Sequence, residues 1–266
     1  MKKFTWFLGL AVIFITAGCF DTAEEITIND SGNGTYMSTL DMGKLLSMAK
    51  TMGGDKDEMK DIEKLKVDTL INLKDIKDSL KNLNDAERKI AATGTLKVNV
   101  DANEEKMNFV FTFPFSKPAE ISDIQNVLKK SKQDVLDNIM QKIFSETGSN
   151  KSSNVMDMGD DNDKGGLTAD LDEYYTTVYN KGMISHKVNK EKYAHVEDDK
   201  ALKSMQELTQ LGVSLNMKTI INLPRPAKKA EGKGIKLSDD KKKITLEGTL
   251  DDFFENASYF EYEIEY

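Results

Sequence analysis

MNFVFTFPF, residues 107 to 115, sets Met107, Phe109, Phe111, Phe113 and Phe115 at every second position. Successive side chains of a strand point to opposite faces, so this phase gathers five large apolar groups on one side of a sheet. A helix would scatter the same residues around its circumference. Just before it, GTLKVNV does the same with Leu96, Val98 and Val100, and DANEE, residues 101 to 105, has the length and polarity of a hairpin loop. Two alternating strands in tandem predict antiparallel pairing around an aromatic face.

Reading outward, EITINDSGNGTYMSTL (25 to 40) alternates on both sides of DSGNG, which predicts a second hairpin with Asn33 and Gly34 as its turn pair. Asp41 is placed to cap a helix carrying Leu45, Leu46, Met48, Ala49 and Met52 and ended by Gly53 and Gly54. KVDTLINL (66 to 73) reads as a strand, and Ile76, Leu80 and Leu83 mark one face of a short helix. The longest helix is expected over 121 to 144, where Ile121, Ile124, Leu128, Val135, Ile139 and Ile143 share a face and Ser122 and Gln125 stand at capping-box spacing.

The C-terminal stretch repeats the order hairpin, helix, strand: YYTTVYNKGMISHKV, then DDKALKSMQELTQL stopped by Gly212, then VSLNMKTIINL. Strands KKITLEG and SYFEYEIEY follow. Prolines 114, 118, 224 and 226 fall where strands exit, as expected of a residue with no amide hydrogen for an inner ladder. The fold class is therefore α+β, an extensive antiparallel sheet of hairpins with amphipathic helices packed on one face. It divides into two similar halves, 25–145 and 167–266, separated by a flexible acidic loop over 146–166; the halves form either two domains or one.

The N-terminus reads differently. Lys2 and Lys3 precede an uncharged run from Phe4 to Ile15 and the small residues Thr16, Ala17 and Gly18, the layout of an export signal over residues 1–18. The run is shorter than the roughly 20 residues that a spanning helix needs. Cys19 is the only cysteine among 266 residues, so no internal disulfide or thiolate metal site is available. Losing residues 1–18 takes the net charge from −8 to −10, which argues against a nucleic-acid partner.

TAGC, residues 16 to 19, resembles the bacterial lipobox, with Thr16 where leucine is more usual. The resemblance implies cleavage between Gly18 and Cys19, a diacylglyceryl group on the Cys19 sulfur, a tether over 19–24, and a membrane partner reached through N-terminal acyl chains. Phe20, rather than aspartate, after the cysteine implies the outer membrane of the bacterial cell envelope. A secretory signal that leaves a free thiol is the alternative. Separately, INLPRPAKKAEGKGIKLSDDKKKITLEG (221 to 248) resembles the C-terminal region of uncharacterised lipoproteins of Bacteroidota-type bacteria, which implies a family and no activity. Asp21, Asp68 and Asp78 open triplets similar to the short O-glycosylation pattern of that group, a pattern that chance also supplies in so Asp- and Thr-rich a chain.

Several constellations carry chemistry in principle. Asp161, Asp163 and Asp172 hold the first, third and twelfth places of a calcium loop with Gly166 at the sixth, but Gly165 removes one ligand and Asp172 is shorter than the usual glutamate, so a solvated acidic loop competes with calcium. Met37, Met42, Met48, Met52 and Met59 could offer thioethers to copper(I), though helix-spaced methionines more often fill a core. His186 and His195 lie in no catalytic or metal motif. Lys228, Lys229, Lys233, Lys236 and Lys241 to Lys243 suit either anionic headgroups or the protection of a strand edge, and their place between strands favours the edge. Phe109, Phe111, Phe113 and Phe115 either line a cavity for a hydrophobic ligand or pack against helices. The expectation is a lipid-anchored, non-enzymatic binding or structural module with an envelope protein partner and no cofactor; a carrier of lipid-like ligands is the alternative, and a hydrolase stands behind both.

Overall fold

The computed structural model describes residues 19–44, 47, 65–146, 171–210 and 214–266. The export signal and Gly18, the helix expected after Asp41 apart from its first residues, and nearly all of the acidic loop, with Asp161 and Asp163, lie outside that range. The strands are β1 (Cys19–Ile28), β2 (Gly34–Asp41), β3 (Lys66–Asn72), β4 (Thr95–Asp101), β5 (Lys106–Phe115), β6 (Tyr175–Asn180), β7 (Met183–Val188), β8 (Ser214–Asn222), β9 (Lys229–Glu231), β10 (Ile235–Leu237), β11 (Lys243–Thr249) and β12 (Tyr262–Glu265). The helices are α1 (Asp85–Ala91), α2 (Glu120–Glu146), α3 (Lys190–Tyr193), α4 (Lys200–Gln210) and α5 (Leu250–Asn256).

The fold is α+β. Strands β4 and β5 pair antiparallel through Val98 opposite Phe109 and Leu96 opposite Phe111, joined by a hairpin loop over 102–105, one residue shorter than read from the sequence because Asp101 ends β4 opposite Lys106. They belong to an eight-stranded sheet in the order β10-β11-β8-β1-β2-β5-β4-β3, antiparallel throughout except where β1 runs parallel to β8. A second, antiparallel sheet has the order β6-β7-β12-β9. The two sequence halves therefore do not form separate units, because β8, β10 and β11 complete the sheet that β1 to β5 begin. The β1–β2 and β6–β7 hairpins recur in order along the chain yet lie in different sheets.

One face of the large sheet is buried by alternation: Leu96, Val98 and Val100 of β4, Phe109, Phe111 and Phe113 of β5, Tyr36 and Leu40 of β2, and Ile26 of β1 are all almost inaccessible. The opposite face carries Lys97, Asn99, Asn108, Thr39, Lys218 and Glu247 and remains open. Helix α2 contributes a buried stripe of Ile121, Ile124, Val127, Leu128, Val135 and Leu136, spaced by threes and fours. It begins at Glu120, with Ser122 inside its first turn rather than at the cap. Helix α1 is held against α2 by Glu87, which closes a capping box with Asn84 and also accepts from Lys130 Nζ at 2.5 Å and Asn126 Nδ2 at 3.3 Å.

Three local expectations need correction. Residues 19 to 24 are not a tether but the first six residues of β1. The β1–β2 turn uses Gly32, whose φ of +88° suits glycine, while Gly34 is already in β2, where a Cβ would stand 1.8 Å from the Thr27 carbonyl oxygen. The Ile76–Leu83 helix is replaced by two 3₁₀ turns, Leu73–Asp75 and Lys77–Ser79.

If the Phe row is solid core, Phe111→Ala lowers the unfolding free energy by about 3–5 kcal/mol and Phe111→Leu by distinctly less, read from urea titrations. Equal, small effects would show a site that tolerates a void.

Candidate functional site

Across the large sheet the buried face changes character from one side to the other. One cross-strand row runs Leu246, Thr219, Glu24, Ser38, Phe111 and Leu96 through β11, β8, β1, β2, β5 and β4. Its next neighbour includes Met217, Thr22, Leu40 and Phe109. Phenylalanines fill the β5 side, whereas at the first of these rows β8, β1 and β2 present Thr219, Glu24 and Ser38. A cavity of about 420 Å³ lies between these residues and the small sheet.

Glu24, Ser38 and Tyr36 form its wall on the large sheet, Tyr179, His186 and Tyr262 on the small one, and Gln125 with Lys129 on α2. Leu215, Leu246 and Phe260 add an apolar side. The partly exposed Lys129 and Glu173 also border the space, so it reaches solvent at a charged rim. There Lys129 meets Glu173 at 2.5 Å, while Lys218 meets Glu247 at 2.7 Å on the other face of the sheet.

Inside, Tyr36 Oη donates to Glu24 Oε1, and Gln125 Nε2 lies 3.4 Å from Glu24 Oε2. Burial, and then the Glu24 carboxylate beside it, pushes the Tyr36 phenol well above its ordinary range, so it remains a donor. Burial raises Tyr179 and Tyr262 as well, with the negative charges of Glu24 and Asp172 adding to the effect. His186 is sandwiched between Tyr175, with ring centroids 4.2 Å apart, and Tyr262 at 5.1 Å. Its Nδ1 lies 2.7 Å from Thr177 Oγ1, and burial lowers its pKa to about 3, so the ring is neutral.

The residues singled out in the sequence are distributed unevenly about this site. Phe109, Phe111, Phe113 and Phe115 are packed in the core and none borders the cavity, although Phe115 touches a separate groove beside the β1–β2 turn. Asp172 lies in the 3₁₀ turn Leu171–Tyr174 at the cavity edge, where it is close enough to influence Tyr36 and Tyr262. Among the described residues no group of three or more His, Cys, Asp or Glu side chains could hold a metal ion. Cys19 opens β1 opposite Ser214 of β8. His195 is on the surface, 3.4 Å from Asp198, and Met42 is buried. Lys229 and Lys236 are engaged at the sheet edges, with Glu263 at 2.8 Å and Glu247 at 3.1 Å. Among the described residues no helix is long and apolar enough to cross a membrane.

Glu24, Ser38, Tyr36 and Tyr262 were not anticipated as site residues. The signal was present: Glu24 shares the inward phase of Ile26 and Ile28, and Ser38 that of Tyr36 and Leu40. No protein-family model, curated protein or solved structure matches the chain.

His186 makes stability depend on pH. Its folded pKa of about 3 lies below the ordinary 6.5, so the unfolded chain takes up the proton first, and stability present above pH 6.5 is lost as pH falls toward 3. Between pH 7 and pH 5 this loss is about 2 kcal/mol. His186→Phe, which keeps a ring in the stack, should lose less by about that amount in urea titrations at the two pH values; identical losses would show that His186 titrates normally.

Proposed function

We propose that this chain is a lipid-anchored lipoprotein of the bacterial envelope, held at the outer membrane through Cys19, and that its body is a non-enzymatic binding module. The cavity between the two sheets carries the second part. A cleft with an aromatic wall, a few convergent polar groups and a solvent-reaching rim is the usual form of a small-molecule site. His186 faces Thr177 and two tyrosine rings, an arrangement that holds a ring in place rather than one that moves protons.

The anchor rests on the export-type N-terminus and the lipobox-like TAGC ahead of Cys19. Several acyl chains, at about 0.8 kcal/mol per buried CH₂, hold a protein stably where one chain holds it marginally. Since β1 is hydrogen-bonded from Cys19 onward, the acylated residue would adjoin the large sheet directly, without a long leash. A second reading, carriage of a lipid-like ligand, draws on the apolar side of the same cavity, Leu215, Leu246 and Phe260, and no longer on the phenylalanine row.

Two measurements test this. Labelled fatty acid is expected to enter the wild-type chain in bacteria and not Cys19→Ala, and failure to label wild type removes the anchor. Native mass spectrometry of the full chain extracted from membranes is expected to show a bound small molecule beyond the acyl groups; a uniformly empty protein that also takes up nothing from added ligands removes the binding module.

A further inference from the structure

We propose that the polar floor of the cavity is a site for a neutral, polyhydroxylated molecule, of the class of a mono- or disaccharide; this rests on reading the cavity as a binding site. Ser38 is 6% exposed and Tyr262 4%, and both border the cavity. Among the described residues neither hydroxyl has a hydrogen-bond partner, while no fully enclosed side-chain nitrogen or oxygen lacks one. The two hydroxyls are therefore not sealed in the core but open into the cavity space. A hydroxyl that opens into such a space and is not used by the protein itself is free to pair with a ligand, and a ligand hydroxyl, which both donates and accepts, suits it.

The neighbouring groups fit the same chemistry. Glu24 stands directly across from Ser38 in the β1–β2 ladder and offers carboxylate oxygens, Gln125 offers an amide, and Thr177 a further hydroxyl. Around them Tyr179, Tyr262 and Phe260, largely buried but bordering the cavity, supply apolar edges for the C–H groups of a sugar ring. Charge does not select an ion. With Lys129 paired to Glu173 at the rim and Lys218 to Glu247 on the other face of the sheet, the remaining formal charges of the lining, Glu24 and Asp172 against Lys132 and Lys192, cancel. The volume of about 420 Å³ lies in the range of small-molecule pockets and has room for a compact ligand.

The same chemistry is offered by a free sugar and by the sugar of a glycolipid. The mature chain is titrated with D-glucose, N-acetyl-D-glucosamine and maltose, and separately with phosphatidylcholine vesicles carrying a glucosyl lipid, using saturation-transfer NMR and shifts in Tm. Choline, glutamate and palmitate are run beside them. At least one sugar, free or lipid-linked, is expected to bind, the arm that responds identifying the source. Tyr262→Phe and Ser38→Ala are each expected to weaken that binding at least about tenfold. Each should leave the Tm of the free protein unchanged or raised, because the deleted hydroxyl had no partner to lose. Sugar binding that survives both substitutions overturns the proposal, as does a marked fall in the free protein's Tm for Tyr262→Phe. Binding of choline, glutamate or palmitate alone, lost in Tyr262→Phe, overturns the sugar class and leaves the cavity as a binding site. No binding by any probe overturns both readings.

Discussion

The parallel pairing of β1 with β8 is the constraint on which the rest depends. It joins segments 195 residues apart, as in the contact of Asn216 Nδ2 with Asp21 Oδ1 at 2.9 Å, and it is the single parallel junction in an otherwise antiparallel sheet. Without it, β1 to β5 would form a five-stranded sheet with β1 as a bare edge, and β8 with β11 and β10 a separate ribbon. Long-range pairing of this sort incurs the loop-closure entropy of everything between, so the burial on both sides has to repay it. Ile26 between Tyr36 and Ile221, all nearly inaccessible, is where that repayment is concentrated.

From that junction follows the division of the buried face. The β5 and β4 side is closed by phenylalanine and valine against α1 and α2, and it behaves as an ordinary core. The β1 and β8 side holds Glu24, Thr22 and Thr219 on its inward phase. A carboxylate there is tolerated only because Tyr36 and Gln125 donate to it and because the small sheet stands back far enough to leave a cavity. The position of β1 in the middle of the sheet therefore both completes the core and brings a charged group next to the tyrosines of a sheet built from the other end of the chain.

Much of the local structure was legible because it is written in periodicity. The alternation in 107–115, the helical stripe from Ile121, and the β6–β7 hairpin over Lys181 and Gly182 all formed where the pattern placed them. Short elements were not. Helix α5 spans seven residues and was not anticipated, although Thr249 and Asp252 make a capping box at its start. β9 and β10 are three residues each, read from the lysines alone as edge protection, and their charged pairs with Glu263 and Glu247 depend on strands distant in sequence. Residues 19 to 24 looked like a tether because an acidic, threonine-bearing stretch has no strong strand signature; β8 and β2, one on each side, impose the strand.

The sequence by itself determined the longer strands and helices, which face of each is apolar, and that a signal-like N-terminus leads to a solitary Cys19, and it carries the break of the inward apolar phase at Glu24 and Ser38. Those are one-dimensional properties, set by spacing of two or of three to four residues. Only the tertiary structure decided that Glu24 and Ser38 meet across one ladder, that Tyr179 and Tyr262 face them, and that His186 is locked neutral between two rings. Sheet order and the meeting of two sheets follow from which edges bury the most surface together. That sum is taken over pairs far apart in the chain and leaves no local mark in it.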